Sequence, residues 1–236
     1  MNYILILSAL ALAACDGQMG DAGVQAQGAG TARTYAVDGF EKVELAGSDD
    51  VDVRVGPAFS VRAEGPAAVL DQLRIDRDGD TIEIGRRENA PRVDGKARVI
   101  VTMPNIAGAV LAGSGTMRVD RVSGDKANVE IAGSGNLMLG QIAVQQMAVE
   151  IAGSGTLRAG GTVRTLDVDI AGSGNVDAGG LLASSADVSI AGSGNVRATV
   201  NGDAKVSIMG SGDVDLGAGA RCQTEKMGSG NVRCGR

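Results

Sequence analysis

The sequence has no histidine and no tryptophan, and its only aromatic residues are Tyr3, Tyr35, Phe40 and Phe59. Without histidine it lacks the commonest general base and the commonest metal ligand. So few aromatic rings leave little for sugars or unstacked bases to pack against, and the core must be built from Val, Ile, Leu, Met and Ala. Basic residues are in deficit, 22 against 28 acidic ones, and the net charge of −6 disfavours nucleic acid as a partner. Proline is confined to one stretch, with Pro57, Pro66, Pro91 and Pro104 as its only occurrences. The apolar run Ile4 to Leu12, broken only by Ser8, would extend about 14 Å as a helix, less than half of a roughly 30 Å hydrocarbon core.

That run followed by small residues reads as an export signal over residues 1–14. The string Leu12-Ala13-Ala14-Cys15 resembles a bacterial lipobox, which implies cleavage before Cys15, diacylation of its sulfur and attachment to a membrane through that lipid. Met1-Asn2-Tyr3 departs from the usual pattern in carrying no Lys or Arg. Asp16, directly after the cysteine, resembles the inner-membrane retention signal of enteric lipoproteins. Residues 15–31, rich in Gly, Ala and Gln without an apolar period, read as a flexible tether. As random coil it would hold the folded part about 20 to 25 Å from its anchor.

Glycine is abundant instead, at 37 of 236 residues, more than twice the usual share of about 7%. Much of it is periodic. Gly-Ser-Gly begins at Gly113, Gly133, Gly153, Gly172, Gly192, Gly210 and Gly228, with spacings of 20, 20, 19, 20, 18 and 18 residues. Aligned on the first glycine, the position two before it holds Ile131, Ile151, Ile170, Ile190 and Ile208, and the position four before it holds Val129, Val149, Val168, Val188 and Val206. Four after it come Met117, Leu137, Leu157, Val176, Val196, Val214 and Val232. Each copy is a period-2 strand, a glycine corner and a second period-2 strand.

Such a copy cannot bury its apolar face alone, whereas stacking each on the next makes continuous inward ladders. The pattern predicts an all-β fold, a right-handed parallel β-solenoid with coils of about 20 residues. An antiparallel β-sandwich is the rival, but it predicts different chemistry at alternate turns, and here one turn type recurs. Residues 106–236 carry the repeats, and residues 32–105 form an irregular N-terminal strand and hairpin segment. Within that segment Phe59–Ala63 and Leu73–Arg77 alternate like strands, and Asp78-Gly79 joins the latter to Thr81–Arg86 as a hairpin. A degenerate copy lies upstream, with Val43 and Leu45 before Gly47 and Val51 and Val53 after it. There Asp49 replaces the second glycine and is expected to take a left-handed conformation that Asp tolerates.

These residues carry a resemblance. The tandem Ile-Ala-Gly-Ser-Gly-Asn-Val/Leu strings at 131–137, 170–176 and 190–196, the Phe40-Glu41-Lys42-Val43 opening and the Asp78 to Ile84 hairpin resemble the family named putative auto-transporter adhesin head GIN domain. The likeness extends over residues 35–234. It implies a β-helical envelope protein, commonly exported or lipidated; it does not imply an activity.

The residues themselves point to no catalytic site, metal or cofactor. Thr116, Asn136, Thr156, Asn175, Asn195, Asp213 and Asn231 share one column, where stacked side chains can bond to one another and to the corner backbone; a ligand-binding stripe is the functional alternative. The segment Asp76–Arg87 has its glycine and its twelfth residue wrong for an EF-hand loop and reads as a hairpin. A weak surface calcium at Asp49-Asp50-Val51-Asp52 is a lesser reading. The outward charges Arg118, Glu130, Glu150, Arg158, Asp169 and Arg197 read as a scattered, solvated face. The functional expectation is a non-catalytic, lipid-anchored envelope scaffold contacting an unknown envelope protein or glycan, with a passive structural lipoprotein as the alternative and a glycan-active β-helix enzyme as a lesser one. Finally, Cys222 and Cys234 remain as an even pair in an exported chain, the arithmetic of one disulfide.

Overall fold

The computed structural model describes residues 23–91 and 93–235, so the export signal, Cys15 and Asp16 lie outside the described residues. In chain order the elements are β1 (Ala26–Gln27), β2 (Ala32–Tyr35), β3 (Lys42–Gly47), β4 (Asp50–Val55), β5 (Ser60–Glu64), α1 (Ala67–Leu70), β6 (Leu73–Asp78), β7 (Thr81–Arg86), β8 (Arg98–Met103) and β9 (Gly108–Gly113). Four long ladders follow, β10 (Thr116–Gly133), β11 (Asn136–Gly153), β12 (Thr156–Gly172) and β13 (Asn175–Gly192). The chain closes with β14 (Asn195–Val200), β15 (Asp203–Gly210), β16 (Asp213–Asp215), β17 (Arg221–Gly228) and β18 (Val232–Arg233).

From β10 onward each copy pairs in parallel with the next, glycine against glycine and isoleucine against isoleucine as far as Ile208, which faces Lys226. The result is a β-solenoid of about six turns. Its inward ladders are the columns of the alignment: Val129, Ile131, Val149, Ile151, Val168, Ile170, Val188, Ile190, Val206 and Ile208 are all buried. The coil has one more side than the two strands read from sequence. Between them Val122, Ile142, Val144, Val163, Leu181, Ala183 and Val200 supply a third buried wall. Differences in coil length are absorbed at the corners flanking that wall, where register shifts occur between Leu139 and Gln141, Arg158 and Gly160, and Ala178 and Leu182. The flanking ladders stay in register because a one-residue slip there would turn every apolar side chain outward.

The two glycines of the corner do different work. The first takes φ of +139° at Gly113, +130° at Gly133 and +127° at Gly153, a region closed to most side chains. The second is outside that region and is required by space: a Cβ on Gly155 would stand 2.4 Å from Ile131 Cγ2. This corrects the expectation for Asp49, which does not adopt positive φ. It holds a side chain because the rung beyond it has no glycine corner. Its carboxylate is buried there, accepting from Arg86 Nε at 3.0 Å, Arg86 Nη2 at 2.8 Å and the Ala97 amide at 2.8 Å.

The order of coils along the axis departs from chain order. The degenerate copy, β3 and β4, is the second level of the stack: β3 lies between β7 and β9, and β4 between β8 and β10. The segment after β4 folds over the end of the coil and lays β7 and β8 outside it, then returns beneath through β9. Antiparallel strands close this end, β6 on β7 and β5, β2 and β1 in turn on β8. Phe40 is buried there with its ring centroid 4.8 Å from that of Phe59, and Val69, Leu70, Leu73 and Ile75 fill the cap. The last part of the expected tether is included: β1 pairs with β2, and the Val24 amide donates to Ile75 O at 2.7 Å. Residues 23–31 are therefore folded onto the cap, not free chain. At the other end β17 pairs, among the described residues, only with β15, and a disulfide joins Cys222 to Cys234 with Cα atoms 5.9 Å apart. Among the described residues no helix is long and apolar enough to cross a membrane.

Candidate functional site

One outer face of the solenoid, formed by β8, β4, the start of β10 to β13, and β14, β16 and β18, carries two adjoining grooves of about 910 Å³ and about 580 Å³ that meet at Asp177. The polar column expected from sequence forms one wall, and part of it is a hydrogen-bonded ladder. Asn195 Nδ2 donates to Asn175 Oδ1 at 2.8 Å, the Asp213 amide to Asn195 Oδ1 at 3.2 Å, and the Asn231 amide to Asp213 Oδ1 at 2.9 Å. Two residues further along each strand lies a charged column. From Asp52 it runs through Arg118, Met138, Arg158, Asp177, Arg197 and Asp215 to Arg233, one residue per level.

The charges sequence reasoning took as scattered are thus sorted by the coil. From Arg158 to Arg233 the sign alternates at every level, placing opposite charges on neighbouring strands. Arg118 lies 3.9 Å from Asp52, Arg158 3.8 Å from Asp177, and Arg233 3.4 Å from Asp215. Arg98 also pairs with Asp52, which leaves that carboxylate between two guanidinium groups. Arg197 pairs with no carboxylate among the described residues. Asp120 accepts from the Val55 amide at 3.0 Å and Asp215 from the Gly217 amide at 3.1 Å. Every aspartate along the groove is therefore engaged by a cation or an N–H, an arrangement suited to presenting a fixed charge pattern. The weak calcium reading at Asp49, Asp50 and Asp52 meets the same fact: these pair with Arg86, Lys96, and Arg98 and Arg118.

The opposite charge pattern occupies the sheet containing β3 and β7. There Glu44 stands beside Glu83, Glu130 beside Glu150, and Glu150 beside Asp169, while Asp167 stands beside Asp187. Like charges in register raise the cost of ionisation. The pKa of Glu44 is raised by burial first and then by Glu83 and Glu130, and that of Asp167 by burial and then by Asp169 and Asp187. Both columns were available in the glycine alignment, since Arg118, Arg158 and Arg197 all stand five after the first glycine and Glu130, Glu150 and Asp169 all stand three before it. Reading the charges along the chain, not down the columns, hid them.

Residues 39–219 match the model of a family described as putative auto-transporter adhesin, head GIN domain. The chain belongs to this family. Solved structures share its fold. A putative adhesin from Bacteroides fragilis is 18% identical with a TM-score of 0.79, covering 86% of this chain and 95% of its own. A putative lipid binding protein from Parabacteroides distasonis is 20% identical with a TM-score of 0.70, covering 89% of this chain and 98% of its own. A putative adhesin from Parabacteroides merdae is 17% identical with a TM-score of 0.63, covering 91% of this chain and all of its own. No protein of curated function matches the chain.

Proposed function

We propose that this GIN-domain chain is an exported, lipid-anchored and non-catalytic interaction scaffold of the bacterial envelope, adhesin-like in that its groove contacts an envelope protein or glycan. The observation that carries the reading is the groove itself. It runs along the stacking direction over successive levels, so side-chain donors and acceptors recur at roughly 4.8 Å along it. An extended partner lying in it would meet the same kinds of group at each step. The engagement of the groove aspartates supports a binding role over acid–base chemistry, which needs a carboxyl free to exchange a proton with substrate. The adhesin description of the family agrees in kind with that reading.

Anchoring rests on Cys15, and the first described residues dock on the capped end of the solenoid. Attachment there would set the cap toward the membrane and project the C-terminal rung away from it. Binding of the purified chain to isolated envelope fractions tests the proposal, with one fraction stripped of protein by protease and another stripped of glycan by periodate. Loss of binding in one fraction identifies the partner class. Absence of binding to the untreated fraction would leave a passive structural lipoprotein.

A further inference from the structure

The C-terminal end of the stack differs from every level before it. Among the described residues strand β17 is hydrogen-bonded on one side only, to β15. The amides of Arg221 and Ser229 donate to Gly202 O and Gly210 O. In a parallel ladder the N–H and C=O groups of alternate residues face alternate neighbours, so those of Cys222, Thr224 and Lys226 face away, into open space. These three are also the inward-facing positions of the rung. The columns that hold Val206 and Ile208 one level earlier end in Thr224 and Lys226. The Lys226 ammonium turns across the end and donates to Gly230 O at 2.8 Å.

Without that lysine the rung would be self-complementary. In an antiparallel pair of β17 strands with Gln223 on the two-fold axis, Arg221 of each copy lies opposite Glu225 of the other. Five residues of each strand, 221–225, would be paired, and each copy would cover the open end of the other's core. Lys226 reverses the balance, because its ammonium would be enclosed between two solenoid ends with a backbone carbonyl and no carboxylate as partner. Enclosing an unpaired charge is costly.

We propose that the C-terminal rung is a latent docking edge for a second copy of this chain and that Lys226 keeps it silent, so that neighbouring anchored chains stay separate. The test is the sedimentation mass of the oxidised chain across a concentration series, with amide hydrogen exchange of residues 221–228. Wild type is expected to sediment as a monomer with fast exchange at Cys222, Thr224 and Lys226. Lys226→Ile is expected to shift to twice that mass with those amides protected, while Lys226→Glu stays monomeric because either charge blocks the pairing. Adding Thr224→Pro to Lys226→Ile removes an outward N–H and should return the monomer. A Lys226→Ile chain that stays monomeric, a wild-type dimer with β17 protected, or a dimer that survives Thr224→Pro would each overturn the proposal.

Discussion

Gly155 and Gly79 show how one residue type serves two physical needs. Gly155 sits under a corner where a methyl group would meet Ile131, whereas Gly79 lies in the β6–β7 turn at φ +57° with no atom near its missing Cβ. Gly155→Ala should therefore act by overpacking, costing about 1–3 kcal/mol. Gly79→Ala should act through backbone strain alone, about 1 kcal/mol. Urea titrations of the two variants measure the difference, and equal losses would mean that corner stacking is looser than described. Ile170, 2% exposed, is a sharper case. Ile170→Asp sets an unpaired carboxylate in the inward ladder and is expected to abolish cooperative folding; an unchanged thermal transition would place that column on the surface. The residue-level pattern was largely legible, since burial in the repeats follows the glycine alignment. Asp49 was not. Its role depends on Arg86 and Ala97, which lie 37 and 48 residues away, and no local pattern connects them.

At the scale of elements, the end rung and the acidic sheet lead to separate expectations. Thr224 and Lys226 give β17 little core to hold it, and the bridge between Cys222 and Cys234, 12 residues apart, restrains it instead. The Cys222→Ser, Cys234→Ser chain should lose roughly 3 kcal/mol of stability in the chain-entropy model. Its hydrogen-exchange protection should drop first over residues 217–235, with the middle coils unchanged at matched stability. The acidic sheet is a matter of sign. Glu44 and Asp167 bind a proton more readily folded than unfolded, so stability rises as pH falls from above their raised pKa values into the ordinary carboxylate range. Asp80 has the opposite sign, because its bond to Lys42 lowers its pKa; its contribution is lost only as pH falls below that range. The melting temperature should therefore pass through a maximum in mild acid, and Glu130→Gln should flatten the rise on its alkaline side. A melting temperature that climbs steadily with pH would contradict this account. The strands of the repeat were readable from period and spacing, but the third wall was not. Its residues differ in number from coil to coil, so they fall out of alignment even though the walls on either side stay in register.

Seen whole, the molecule has one closed end and one open end, and this asymmetry was only half visible in the sequence. The C-terminal opening could be read from Thr224 and Lys226. The N-terminal closure could not, because the chain enters at the second level, leaves to build the first, and returns beneath, while strand patterns specify local structure and not the order of stacking. From β7 to β17 nine strands lie level upon level, a stack of roughly 38 Å at one strand spacing per level. Lipid on Cys15 would make that length a standoff from the membrane. Fatty-acid labelling is expected to mark the wild-type chain and not Cys15→Ala, which should partition to the soluble fraction; label retained on the variant would rule out this anchor.

The central claim is that the groove, and not the acidic sheet, is the contacting surface. The most direct measurement compares the affinity of envelope fraction for wild type, for Arg158→Glu with Arg197→Glu, and for Glu130→Gln with Glu150→Gln, after circular dichroism has shown all three to be folded. Reversing two groove charges breaks the alternation over the four levels from Arg158 to Asp215 and is expected to weaken binding at least tenfold, about 1.4 kcal/mol. Neutralising the acidic pair should leave binding within a factor of two. Equal binding by the groove variant and wild type, or loss confined to the acidic-sheet variant, would contradict the account.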